Sequence, residues 1–374
     1  MTAVLGFGSL EELPGMLGGP ETRILLVTGG ESYERSGAAA AIEPLLADHP
    51  VTRFSGFSVN PKLEEALEGV DRCRTADVHT VLAVGGGSVM DTAKLVALFS
   101  RQAGDPRAIV TGKAAIERAG LPVIAVPTTA GSGSEATHFA VVYVDGVKYT
   151  LAHDSLRPNP VIVDPGLTRS MPPRLSAITG LDALSQAIES FWSVGATEDS
   201  QAAARKALGY LLPHIETAVQ APDDATREAM SRGAYWAGRA IDRSRTTGAH
   251  ALSYGMTTGY GIPHGHAVAL TIGPFLEFNA GVEDADCNHP GGAAHVRATM
   301  DALLGLIGAR SAADAHAQWI RRMEALGLPS RLGSAGIPRD GVEALASGIN
   351  LERAGNNPRR MDADAACKIL NAAA

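Results

Sequence analysis

The sequence predicts an α/β domain over residues 1–165 and an all-helical domain over residues 166–374. Short β-branched runs alternate with helical patterns in the first part, which favours a largely parallel sheet covered on both faces. Strand-like runs nearly vanish after Asp164, where Ala, Leu, Glu and Arg dominate. A length of 374 residues with 45% apolar and 19% charged residues suits two globular domains and excludes a disordered chain.

The elements of the first part follow from their residue types. Short apolar runs bounded by turn residues predict strands, and amphipathic or Ala-rich runs predict helices. The strands are expected at 24–28, 51–54, 80–84, 123–126, 140–144, 148–152 and 161–163. The helices are expected at 37–46, at 62–75, and from a Ser88 cap to about residue 99.

The second part predicts helices almost throughout. Its long stretches are rich in Ala, Leu, Glu and Arg, and they contain few β-branched runs. The helices are expected at 174–191, 199–219, 226–240, 246–260, 267–279, 294–307, 312–325 and 341–351.

Charge, cysteine content and hydropathy narrow the class of protein. A formal net charge of −8 argues against nucleic acid as a partner, because a sequence-independent grip on phosphates needs a basic surface. The three cysteines form no CxxC pair, so we expect no disulfide framework, no thiolate zinc site and a reducing compartment. The N-terminus lacks a signal-peptide pattern, and no apolar run is long enough for a membrane span. The expectation is a soluble cytoplasmic enzyme.

Two glycine-rich loops follow successive predicted strands. Gly85-Gly86-Gly87-Ser88 lets a ligand approach backbone N–H groups at the positive end of a helix, as a pyrophosphate seat requires. The segment PTTAGSGSEAT at 127–137 places hydroxyls and glycines at the carboxyl end of a strand, where open α/β sheets bind ligands. Either segment alone is compatible with an ordinary turn or surface loop, and neither has the usual dinucleotide or P-loop spacing. Together they favour one shared ligand site.

A third group of polar residues lies in apolar surroundings in the helical part. Asp182 stands in TGLDALSQAIE, His250 in GAH, and His264 and His266 in PHGH. A buried carboxylate is costly unless it is paired or bound to a cation, and one carboxylate with two imidazoles suits a divalent first-row metal. The alternative is a set of hydrogen-bonded core histidines.

These segments, in this order, resemble the iron-containing alcohol dehydrogenase superfamily. The resemblance is carried by GGGSVMDTAK, PTTAGSGSEAT, VDPGLT, TGLDAL and IPHG. It implies a dehydroquinate synthase-like fold with an N-terminal dinucleotide-binding domain, a C-terminal helical domain and a metal, Fe²⁺ or Zn²⁺, in the cleft between them. It places Asp182, His250 and His264 at metal-ligand positions. The implied contacts to NADPH or NADH are Asn60, Gly86, Gly87, Ser88, Asp91, Thr128, Thr129, Ser132 and Lys148.

The chain departs from the superfamily at two positions where histidines are usual. Gln186 stands where a fourth ligand, a histidine, is usual, and Tyr254 replaces another histidine. A three-ligand metal site remains the expectation, with Gln186 as a weak neutral oxygen ligand. A metal-free site of the maleylacetate-reductase type is the alternative, and the intact Asp182 argues against it.

The cofactor preference is expected to depend on the end of the first strand. NAD-preferring relatives commonly place an aspartate at the position of Gly29, where it accepts a hydrogen bond from the ribose 2′-OH. The glycine leaves room for a 2′-phosphate, to which Ser32 can donate, whereas Glu31 could replace the missing aspartate. We expect NADPH to be accepted and preferred to NADH.

The VYVDGVKY hairpin and Gln186 resemble one branch, the phosphonoacetaldehyde reductases of phosphonate biosynthesis. The expected substrate is then a small aldehyde with a phosphonate group, for which Arg243 and Arg245 are the candidate cations and a solvated loop is the alternative. The implied reaction is hydride transfer to an aldehyde polarised by the metal, with Asp182, His250 and His264 as catalytic residues and His266 as a proton relay. The alternatives are a general short-chain alcohol dehydrogenase and a lyase of the dehydroquinate-synthase type. A homodimer is compatible with this sequence.

Overall fold

A computed structural model describes residues 2–349 and 354–374 of the chain. The chain divides into two compact units, Met1–Met171 and Pro172–Ala374. The first unit is α/β and the second is helical, which confirms the fold class predicted from the sequence.

The first unit contains a six-stranded parallel sheet and a separate antiparallel pair. The strands are β1 (Ala3–Leu5), β2 (Ile24–Thr28), β3 (Val51–Phe54), β4 (Thr80–Gly85), β5 (Val123–Pro127), β6 (Phe139–Val144), β7 (Val147–Ala152) and β8 (Val161–Val163). The sheet order is β1-β8-β5-β4-β2-β3. Every residue of β2, β4, β5 and β8 is buried, as expected for central strands of a parallel sheet.

The strands β6 and β7 form a hairpin outside the parallel sheet. Asp145 and Gly146 at its turn have φ angles of 51° and 79°, the left-handed values that a two-residue hairpin turn requires. Tyr143 pairs with Lys148 across the two strands. Arg107 holds the turn through Asp145, with a distance of 3.0 Å from Nη2 to Oδ1.

Three helices described in the first unit, at 13–17, 31–35 and 106–110, were not predicted, and two others differ from the prediction. The helices of this unit are α1 (Leu13–Leu17), α2 (Glu31–Arg35), α3 (Ala38–Ile42), α4 (Leu63–Thr75), α5 (Gly87–Phe99) and α6 (Pro106–Val110). The expected helix at 37–46 is only α3 followed by a 3₁₀ turn at Glu43–Leu46, because Gly37 is left-handed (φ 78°) and Pro44 lies at the start of the turn. The expected cap, Ser88, lies inside the first turn of α5 and donates to the Val59 carbonyl, and Gly86 takes the cap position.

The second unit is a set of helices around α7. The helices are α7 (Pro173–Trp192), α8 (Glu198–Gln220), α9 (Asp224–Ser244), α10 (Gly248–Tyr260), α11 (His264–Ala280), α12 (Gly292–Ile307), α13 (Ala312–Ala325), α14 (Gly341–Ser347) and α15 (Ala363–Ala372). Every residue of α7 from Gly180 to Trp192 is buried, and α8, α9 and α11 pack against it. The sequence did not predict α15, and the end of the expected helix at 341–351 lies outside the described residues.

None of the described helices combines the length and apolar composition that crossing a bilayer requires.

Candidate functional site

One candidate site lies in the first unit, at the carboxyl ends of β2 and β4. These strands are neighbours, but the chain continues from β2 to β3 on one side and from β4 to β5 on the other. Such a reversal of strand order is where open α/β sheets bind ligands. Gly29 follows β2, and the triple-glycine segment spans the end of β4 and the start of α5.

The two glycine-rich loops lie in contact with each other. Thr128 N donates to the Gly85 carbonyl at 3.0 Å. A Cβ atom on Gly86 would lie 3.2 Å from Thr129 Oγ1, and one on Gly87 would lie 2.8 Å from Ser132 Oγ. Glycine therefore lets the loops approach each other at the first turn of α5, whose N–H groups favour an anion.

Asp91 and Lys94 hold the second loop from inside the unit. Asp91 accepts from Ser134 Oγ at 2.6 Å and from Val141 N at 3.1 Å. The Lys94 side chain is fully buried, and its Nζ donates to the carbonyls of Ser134 at 2.6 Å and Phe139 at 2.8 Å. Both of these hydrogen bonds join Asp91 to the protein itself, and its contact with a dinucleotide stays a prediction.

Other residues expected around the dinucleotide lie at the surface or on the hairpin. Ser32 and Asn60 are exposed, and Lys148 is half-buried in β7. A Cβ atom on Gly29 would collide with Ser32 Oγ, so these two residues lie side by side after β2. Their roles toward a cofactor stay predictions.

A separate candidate site lies within the helical unit. Asp182 on α7, His250 in the first turn of α10 and His264 at the start of α11 offer ligand atoms that all lie within 4.8 Å of one another. His250 Nε2 is 3.5 Å from Asp182 Oδ1. A Cβ atom on Gly265 would lie 2.8 Å from Asp182 Cβ, so glycine there lets the start of α11 approach α7.

These three side chains fit a divalent cation by their chemistry. One carboxylate and two imidazoles are a donor set that zinc and first-row metals accept. Burial by itself lowers the pKa of His250, but the negative charges of Glu189 and Asp182 outweigh it and raise the pKa to about 9. A positive charge is therefore favoured at this place.

Glu189 is a residue of this site for which the sequence reasoning assigned no role. Its side chain is fully buried, and Oε1 accepts from Thr247 N at 3.0 Å and from Ala249 N at 3.1 Å. Its other oxygen contacts His250 Nδ1. Helical spacing in the sequence could have indicated Glu189, because residues 182, 186 and 189 share one face of α7.

Gln186 and Tyr254 both contact the expected ligands. Gln186 Nε2 donates to Asp182 Oδ2 at 3.3 Å, one helical turn along α7. The Tyr254 ring stacks on His264 with centroids 6.3 Å apart and planes at 12°. Gln186 therefore acts on the carboxylate of Asp182 through its amide nitrogen, and its role as an oxygen ligand stays a prediction.

His266 lies apart from the Asp182, His250 and His264 group. Its buried ring has Nε2 2.7 Å from the Pro329 carbonyl oxygen, to which it donates. Burial lowers its pKa, so the neutral ring is favoured. The structure gives this histidine a hydrogen-bonding role in the core, and its role as a proton relay stays a prediction.

Arg243 and Arg245 lie at the end of α9, where both are exposed. The neighbouring Thr247 accepts from Trp192 Nε1 at 2.9 Å, so this segment lies against the last turn of α7. The contact of these arginines with the anionic group of a substrate stays a prediction.

Comparison with protein families accounts for nearly the whole chain. The family described as iron-containing alcohol dehydrogenase matches residues 2–165. The family described as the C-terminal part of Fe-containing alcohol dehydrogenases matches residues 176–374.

Individual proteins show the same similarity. A phosphonoacetaldehyde reductase of Streptomyces viridochromogenes is 32% identical, over 98% of this chain and 94% of that protein. A long-chain-alcohol dehydrogenase of Geobacillus thermodenitrificans is 31% identical, over 91% of this chain and 86% of that protein. The crystal structure of a sulfoacetaldehyde reductase from Bifidobacterium kashiwanohense in complex with NAD+ has a TM-score of 0.88 and 28% identity, and it covers 100% of this chain and 96% of its own.

Proposed function

The chain belongs to the iron-containing alcohol dehydrogenase family and is an alcohol dehydrogenase or aldehyde reductase, and we propose that it reduces a small aldehyde that carries an anionic group. Phosphonoacetaldehyde is the first candidate, with 2-hydroxyethylphosphonate as the product. The observation that carries this proposal is the relative named phosphonoacetaldehyde reductase, which matches 98% of this chain. The name of the sulfoacetaldehyde reductase also describes a two-carbon aldehyde with an oxyanion.

The cofactor in this proposal is NADPH or NADH, bound at the carboxyl ends of β2 and β4. The contact between Gly87 and Ser132 supports a seat in which bare backbone approaches a pyrophosphate. Asp91 and Lys94 keep the second loop in this position through buried hydrogen bonds. The hydride chemistry belongs to the cofactor, and the protein aligns the two reactants.

The metal in this proposal is Fe²⁺ or Zn²⁺, held by Asp182, His250 and His264. When bound, such a cation supplies a Lewis acid for the carbonyl oxygen of the substrate. The residues around it orient the ligands: Gln186 donates to Asp182, and Glu189 accepts from His250. Asp182 and His250 are nearly buried, so little water reaches their side chains.

The test is NADPH and NADH oxidation with phosphonoacetaldehyde, sulfoacetaldehyde and butanal as a neutral aldehyde of similar length. We expect kcat/KM for the anionic aldehydes to exceed that for butanal by about ten- to a hundredfold, the effect of one charge-assisted contact. Chelation should abolish the activity, and Fe²⁺ or Zn²⁺ should restore it.

Two results would contradict the proposal. Equal kcat/KM for butanal and the anionic aldehydes would make the protein a general short-chain alcohol dehydrogenase. Full activity in protein that contains no metal would place it with the metal-free reductases.

A further inference from the structure

We propose that Glu189 is a positioning residue that sets which ring nitrogen of His250 carries the proton and so prepares His250 to bind the metal. The inference rests on the proposed function, because it assumes that Asp182, His250 and His264 bind a divalent cation. It goes beyond that function by assigning a task to a residue on a different helix from His250.

The two carboxylate oxygens of Glu189 have different partners. Oε1 lies at the start of α10, where it accepts from the backbone N–H groups of Thr247, Ala249 and His250 at 3.0, 3.1 and 3.3 Å. It also accepts from the Thr247 hydroxyl at 2.8 Å. Oε2 contacts Nδ1 of the His250 ring.

The contacts of Oε1 replace a local helix cap. Thr247, the residue at the cap position of α10, makes no side-chain cap hydrogen bond of its own. The carboxylate of Glu189 reaches this helix end from α7, 58 residues earlier, and its charge lies at the positive end of the helix dipole. These donors stabilise a carboxylate that has no exposed surface.

The contact of Oε2 determines the orientation of His250. An ionised carboxylate oxygen only accepts, so Nδ1 of His250 carries the proton that is donated to it. In the neutral ring the lone pair is then on Nε2, the nitrogen that lies 3.5 Å from Asp182 Oδ1. A metal ligand needs an unprotonated nitrogen, and a carboxylate behind the ring also raises the basicity of the ligand.

Glu189→Gln separates the two tasks. The amide oxygen must stay at the Oε1 position, because three N–H groups and a hydroxyl donate there and an NH₂ group would oppose them. The NH₂ group then faces His250 Nδ1 as a donor, which favours the tautomer with the proton on Nε2. We expect the metal-free Tm of this variant to stay within a few degrees of the wild type, because the helix cap is retained.

Metal affinity is the decisive measurement. We expect Glu189→Gln to weaken Zn²⁺ binding by about 10- to 100-fold in a chelator competition, the usual effect of losing such a partner. The titration is run at about pH 9.5, so that protons compete little for the ligands of either protein. Glu189→Ala should lower both the Zn²⁺ affinity and the metal-free Tm, because it removes the cap as well.

Glu277→Gln is the matched control. Glu277 Oε1 on α11 lies 2.5 Å from Nδ1 of His316 on α13, so it is a second glutamate–histidine pair in the same unit. It is not part of the group formed by Asp182, His250 and His264. We expect this variant to bind Zn²⁺ with the affinity of the wild type.

A measurement on the wild type tests the inference even if Glu189→Gln does not fold. Nitrogen-15 NMR of histidine-labelled, Zn²⁺-loaded protein should show His250 with a proton on Nδ1 and the metal on Nε2. Metal on Nδ1, or Zn²⁺ affinity unchanged in Glu189→Gln, would overturn the inference and leave the proposed function standing. A wild type that binds no Zn²⁺ would instead refute the metal site on which both rest.

Discussion

Gly29, directly after β2, is the single residue expected to select between NADPH and NADH. Its backbone is not left-handed, so an aspartate needs only a rotation of Ser32, whose hydroxyl would collide with the new Cβ. Gly29→Asp should shift the preference toward NADH, because a carboxylate accepts from a ribose 2′-OH and repels a 2′-phosphate. The ratio of kcat/KM for NADPH and NADH should change by about tenfold or more, as expected for one contact to a charged group.

Gly30→Asp is the matched control for this substitution. A Cβ atom on Gly30 meets nothing within 4 Å, so the same carboxylate is introduced one residue later without a clash. We expect the cofactor ratio to stay unchanged. A wild-type enzyme with higher kcat/KM for NADH would contradict the prediction and indicate that the exposed Glu31 contacts the ribose.

The contact between the two loops is a property of elements, because it needs β4 and β5 to be neighbours. Gly87→Ala places a Cβ atom 2.8 Å from Ser132 Oγ and 2.9 Å from Ser132 Cβ, which forces the loops apart. Overpacking of this kind costs about 1–3 kcal/mol. We expect KM for the dinucleotide to rise about tenfold while KM for the aldehyde stays the same, measured by steady-state kinetics.

Gly209→Ala on α8 is the control for the glycine substitution. Gly209 is exposed, and a Cβ atom there meets nothing within 4 Å. It should stabilise the helix by at most about 1 kcal/mol and leave both KM values unchanged. An unchanged dinucleotide KM in Gly87→Ala would show that the loops move apart freely and do not form the pyrophosphate seat.

Elements with local signals were predicted better than those without. The helix at 312–325 has the predicted bounds, because Ser311 caps it by accepting from Asp314 N at 3.1 Å. The helix expected at 37–46 is confirmed only in part: residues 38–42 are α-helical and residues 43–46 form a 3₁₀ turn, because the left-handed Gly37 precedes the Ala-rich run and Pro44 follows it.

The stability of the whole molecule should depend on pH through Glu135. Burial raises the pKa of this carboxyl to about 7, although its own backbone N–H and Lys94 oppose the shift. The folded state therefore holds a proton that the unfolded state releases near the ordinary value of 4.5. The stability that the protonated Glu135 carboxyl contributes to the folded state is complete below about pH 4.5 and is lost as the pH rises toward 7.

Glu135→Gln should remove this pH-dependent loss of stability, because the glutamine side chain is neutral at every pH. Between about pH 4.5 and pH 7 the variant should gain stability relative to the wild type, by at most about 3 kcal/mol. Urea unfolding at several pH values measures the difference, and Glu21→Gln, at an exposed glutamate of the same unit, is the control. A difference that does not vary with pH would contradict the prediction.

The sequence alone determined the fold class, most strands and helices, and the family. The reason is that these features depend on residues close together in the chain: apolar periodicity, turn residues such as Asp145-Gly146, and glycine-rich segments at the ends of strands. The segments around Asp182, His250 and His264 were also recognisable as motifs without a structure.

Only the tertiary structure decided which of these residues meet. Glu189 contacts His250 across 61 residues, and Lys94 donates to Phe139 across 45 residues. Each contact depends on how two helices, or a helix and a loop, pack together. A local sequence pattern does not specify that packing, because the hydrogen bond forms only after both elements have been brought to the same place by the apolar core.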